Sequence, residues 1–166
     1  MPRFVFSTAL AGLFLTGVSF GPAFAGMDMV STIEVTIDLP AVTNKAAAVR
    51  FTHISDDLKN AITALLVDRI APEGEKIGID LSEVELSNSY TEAIGTADTR
   101  LVGIVSITDP KDNSNFRNYT LTVDVNQAKT FLPTTVDMST LSSSSDEYYT
   151  ALIHAFAQAV IDKLPN

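Results

Sequence analysis

His53 and His154 are the only side chains of this 166-residue chain that titrate near neutral pH without environmental help, so acid–base or metal chemistry would start from them. Asp56 and Asp57 follow His53 at spacings of three and four, which on a helix would set a carboxylate beside the imidazole as a base–carboxylate pair or a metal corner. A solvated histidine near surface acids has the same spacing. His154 has no acid three or four positions away and lies between the apolar Ile153 and Phe156. Neither histidine belongs to a motif that places a nucleophile or an orienting acid around it.

Other groupings are similarly open to a plainer reading. Asp109, Asp112, Asn113 and Asn115 form an oxygen-rich loop of the kind a hard cation such as Ca²⁺ needs, and they are weak metal candidates. They lack the alternating ligands and terminal bidentate Glu of an EF-hand, and a hairpin turn uses the same residues. Glu83 and Glu85 could suggest a glycosidase carboxylate pair, but acids on one face of a wet strand need no catalytic explanation. The serine run 142–145 reads as a helix cap. Asn118-Tyr119-Thr120 fits a glycosylation sequon inside a strand pattern. Tyr148, adjacent to Tyr149, and Tyr90 are the candidate contact residues, because tyrosine combines a large apolar area with a polar tip. There is no P-loop, G-x-S-x-G elbow, H-E-x-x-H or G-x-G-x-x-G. With no cysteine there is no disulfide, thiolate metal site or cysteine nucleophile. No catalytic residue and no cofactor are assigned.

The first 25 residues contain Arg3, an apolar run from Phe4 to Val18, the breakers Gly21 and Pro22, and Ala23-Phe24-Ala25. This is the build of a secretory signal peptide cleaved after Ala25, leaving a single domain over 26–166 with no stable membrane anchor. The chain holds 11 basic and 20 acidic residues, and only Arg3 lies in that segment, so the processed domain carries a net charge of −10. Nucleic acid is therefore an unsuitable partner.

In the domain, Ile33, Val35 and Ile37 alternate with polar residues over 32–39 as a half-buried strand. Ala47, Phe51, Ile54, Leu58, Ile62, Leu65, Leu66 and Ile70 form a helical stripe over 44–70, ended by Pro72 and Gly74. Residues 76–87 alternate with a change of parity at Ser82-Glu83, which predicts a bulge. Residues 101–107 are apolar on both parities, predicting a central or doubly covered strand. A hairpin turn leads into a fourth strand over 119–125. Ser144 and Glu147 match a capping box for a last helix carrying Tyr149, Leu152, Ile153, Phe156, Val160 and Leu164. The order β-α-β-β-β-α predicts an α+β fold, a small two-layer sandwich whose mainly antiparallel sheet has two amphipathic helices on one face.

Location and motif content favour a non-enzymatic exported, periplasmic module that acts through protein–protein contact or as an accessory of an envelope assembly, with an envelope protein as partner. The alternative is a periplasmic small-ligand or cation-binding protein with a cleft between helices and sheet. The third reading is a hydrolase built around His53.

Overall fold

The computed structural model describes residues 28–37, 45–85, 100–136 and 145–165. Within them lie β1 (Val30–Ile37), α1 (Lys45–Leu65), a 3-10 turn (Val67–Arg69), β2 (Glu75–Glu85), β3 (Arg100–Thr108), β4 (Arg117–Asp124), the short α2 (Val125–Ala128), a second 3-10 turn (Lys129–Phe131) and α3 (Asp146–Ile161). The four strands form one sheet in the order β1-β2-β3-β4. The helical crossover through α1 returns the chain to the starting end of the sheet, so β1 and β2 pair in parallel. The pairs β2/β3 and β3/β4 are antiparallel, making the sheet mixed and mainly antiparallel. The fold is α+β, with both long helices side by side on one face.

The core lies between that face and the helices. From the sheet come Ile33, Ile77, Ile79, Leu81, Leu101, Val105, Ile107 and Val123; from the helical side come Ile54, Leu58, Ile62, Leu66, Leu152, Phe156 and Val160, all buried. Phe156 lies so close to the sheet that a Cβ on Gly103 would sit 3.3 Å from its Cζ and 3.1 Å from Leu81 Cδ2. Glycine at 103 makes room for the ring. Between the helices, the Tyr149 hydroxyl donates to Asp57 Oδ2 at 2.6 Å.

The expected bulge is present: the β2/β3 register shifts between Leu81 and Glu83, so that Val84 comes opposite Leu101. Several expectations need correction. The helical stripe ends earlier than its periodicity suggests, because the chain leaves α1 at Leu65 and Ile70 instead bridges Val30 at the sheet edge. Leu65 and Ile70 are 42% and 45% exposed. The strand apolar on both parities is central but covered on one side only, since Ile104 is 40% exposed. Val125 begins α2 rather than ending β4, because the Asp124 carboxylate accepts from Asn126 N–H at 2.8 Å and turns the chain. The cap of α3 falls one residue later than expected: Ser145 Oγ accepts from Tyr148 N–H at 3.1 Å.

Candidate functional site

At the end of the core where β2 and β4 begin, apolar packing gives way to a polar cluster. Arg117 Nη2 donates to both carboxylate oxygens of Glu75, at 2.5 and 2.6 Å, and lies 3.4 Å from Asp28 Oδ2. Arg69 donates from Nη2 to the carbonyls of Asp28 and Pro165, both at 2.9 Å. Glu75 and Arg69 are 5% and 7% exposed, so the fold buries charge here. Burial pushes the Glu75 carboxyl above its ordinary range, with Arg117 opposing the rise and Asp28 and Asp109 adding to it. Among the described residues Arg117 Nε and the Tyr119 hydroxyl are buried without a hydrogen-bond partner, and burial also raises the Tyr119 phenol. All four charged residues are held by groups from distant parts of the chain: the segment before β1, the turn after α1, β2, β4 and the end of the chain. The cluster therefore works as a clamp that ties these segments together.

The opposite face of the sheet is chemically different. Parity and register put Thr32, Glu34 and Thr36 of β1, Lys76, Gly78 and Asp80 of β2, Val102, Ile104 and Ser106 of β3, and Asn118, Thr120 and Thr122 of β4 on the side away from the helices. Gly78 carries no side chain, which opens a shallow groove of about 320 Å³ between Glu34, Thr36, Asp80, Ile104 and Ser106. Charge is unevenly distributed over this face. Glu34 and Asp80 stand on β1 and β2, and Arg100 and Asp124 stand opposite each other at one end of β3 and β4, while those two rows are uncharged from Val102 to Ser106 and from Asn118 to Thr122. Asn118 Nδ2 donates to Ser106 Oγ at 3.2 Å, crosslinking the two rows. Among the described residues β1 and β4 are the outer strands of the sheet, each paired on one side.

The residues singled out from sequence fall elsewhere. His53 is exposed on α1, and the acid beside it, Asp57, accepts from Tyr149 instead; His154 is exposed on α3. Asp109, Asp112, Asn113 and Asn115 all lie in the β3–β4 turn, where the Asp109 and Asp112 oxygens serve the turn itself. Asp109 Oδ1 accepts from Lys111 N–H at 2.8 Å, Asp112 Oδ1 from Ser114 N–H at 2.9 Å, and Asn115 N–H donates to the Asp112 carbonyl at 3.0 Å. Among the described residues no three His, Asp or Glu side chains form a group that could hold a metal ion.

Tyr148, a candidate contact residue from the sequence, is 3% exposed and belongs to the core, so it offers no contact surface. Tyr148 lies four and eight positions before Leu152 and Phe156 and turns inward with them, while Tyr149 packs half-buried at the edge of the core and bonds Asp57. Tyr90, the cleavage segment 1–25 and Ser142 to Ser144 lie outside the described residues. Glu83 and Glu85 come opposite Val102 and Arg100 in the register. Sequence reasoning missed the polar clamp and the uncharged rows. The signal for the rows was present, as apolar residues at the outward parity of β3; the clamp's members are too far apart in sequence to give one.

No protein-family model and no curated protein matches the sequence. Solved structures with a likeness include a dodecameric PelC from Paraburkholderia phytofirmans, at 14% identity over 77% of this chain and 82% of that one, with a TM-score of 0.39. A protein from Xanthomonas campestris gives 10% identity over 84% and 87% of the two chains, with a TM-score of 0.45. A minor lipoprotein from Acinetobacter baumannii gives 17% identity over 78% and 89%, with a TM-score of 0.35. Likeness at this level carries no activity or partner over to this chain. Among the described residues no helix is long and apolar enough to cross a membrane.

Proposed function

We propose that this chain is a non-enzymatic exported module that works in the cell envelope through protein–protein contact, as an accessory to an assembly. Export rests on the signal-like segment before Gly26. The contact reading is carried by one observation, the sheet face left uncovered by the helices, with Ile104 40% exposed in a row of uncharged β3 and β4 side chains and the acids at the margins, Glu34 and Asp80 on β1 and β2 and Asp124 at the end of β4. Protein interfaces have this composition, a charge-depleted centre with a polar rim. A face evolved only to meet water would gain from charge at its centre.

The test is capture of an envelope protein by the processed domain from an envelope fraction, comparing wild type with Ile104→Glu. The substitution puts a charge at the centre of the face, opposite Asp80, and touches no core residue, so it is expected to abolish capture while the domain stays folded, its thermal midpoint lowered only by the like-charge pair at the surface. Equal capture by both proteins would refute the assignment of the face.

A further inference from the structure

A second concave surface lies on the other side of the molecule, between α3 and the helical turns over 125–131. Its volume is about 430 Å³, within the range of small-ligand sites. Val123 forms the floor, Ala155 and Ala159 of α3 leave one wall open, and Phe131, 39% exposed, stands at the rim. The charged group lining it is Asp162, whose Oδ1 is held by Gln158 Nε2 at 2.8 Å. Asp162 is also the C-cap of α3, whose last turn contains no basic residue. There the helix dipole presents its negative end, so a carboxylate at this position adds to that potential. Lys129 and Lys163, adjacent in sequence, do not line the groove. A trough with Val123, Phe131, Ala155 and Ala159 as its apolar surface, Asn126, Gln127 and Thr130 along its other side and a carboxylate at its end is complementary to an apolar chain ending in a cation.

We infer that this groove is a binding site for small amphiphiles with a cationic head and an apolar tail, the tail lying over Val123, Ala155 and Ala159 and the head at Asp162. The site is independent of the uncovered sheet face, and either assignment can fail without the other.

The experiment titrates the processed domain with decylammonium, decanol and decanoate below their aggregation concentrations, following backbone amide shifts by NMR. Decylammonium is expected to move the amides of Val123, Phe131, Ala155 and Ala159, and to bind about tenfold more tightly than decanoate, a ratio set by one opposite charge near the surface. Asp162→Asn should remove that preference while keeping decanol binding, and the remote Asp68→Asn should change neither. Ala159→Trp, which fills the trough and introduces the only tryptophan of the chain, should abolish binding of all three with the thermal midpoint retained. Decanoate binding as tightly as decylammonium, shifts centred away from these residues, an equal response to Asp68→Asn, or full binding by Ala159→Trp would each overturn the inference.

Discussion

Removing Arg117 should cost stability in a way that depends on pH, because the residue it leaves behind is a buried carboxylate. In the native protein Arg117 holds Glu75 through two hydrogen bonds from one nitrogen, and the Glu75 side chain is 6% exposed. Breaking a fully buried pair by deleting one partner costs about 3–5 kcal/mol. The Arg117 side chain is 25% exposed, so part of its charge is already wetted, and about 2–3 kcal/mol is the expected loss for Arg117→Met at about pH 7.

The sign with pH follows from Glu75. Its carboxyl in the folded protein titrates above the ordinary value of 4.5, chiefly through burial, so the native state holds more protons than the unfolded chain in the window above 4.5. This group's contribution to stability is present below that window and is lost as pH rises through it. Deleting the guanidinium removes both influences that hold the carboxyl down and widens the window upward. Lowering the pH from about 7 to about 5 moves toward that window, so Glu75 in the variant is protonated more often and the loss should shrink toward about 1 kcal/mol, the scale of an ordinary hydrogen bond. Urea melts of wild type, Arg117→Met and the double variant Glu75→Met/Arg117→Met at both pH values measure this. The double variant should recover most of the loss at about pH 7, since apolar replacement of a buried pair is close to neutral. A loss equal at both pH values, or a double variant no more stable than the single one, would refute the clamp.

Phe156→Ala should destabilise by about 3–5 kcal/mol in a denaturant melt, because the ring is fully buried against Gly103 and Leu81. Gly74→Ala should cost about 2–3 kcal/mol by the same measure, since its Cβ would meet the backbone carbonyl group of Met29 at 2.5 Å and displace the segment leading into β1. His53→Ala and His154→Ala should change stability by less than about 0.5 kcal/mol and leave complementation of a deletion strain intact, as both side chains are exposed.

Much of the fold is legible from periodicity, because each amphipathic element repeats its burial pattern locally. Ile54, Leu58 and Ile62 read as one helical stripe, and the parity change at Ser82 reads as a bulge, without knowledge of any partner. Tertiary context decided the rest. Ile104 and Leu101 look alike in a strand, and only the placement of both helices on one face makes the first exposed and the second buried. Tyr148 and Tyr149 stand four residues before Leu152 and Ile153, both on the apolar stripe, and only the packing of α3 buries the first and leaves the second half-buried against Asp57. The clamp joins Asp28 to Arg117 across 89 positions and Arg69 to Pro165 across 96, separations at which no local pattern exists. The surface groove lay just as far out of reach, because the 125–131 turn that forms one wall reads as plain connection in sequence.

The central claim is that the uncovered sheet face meets another protein in the envelope. The most direct measurement is crosslinking in intact cells from a photoreactive residue placed at position 104, with the same residue at exposed Asn60 on α1 as the control, and the adducts identified by mass spectrometry. A discrete adduct with one envelope protein from position 104 and none from position 60 is the expected result. No adduct from position 104, or the same adducts from both positions, would contradict the claim.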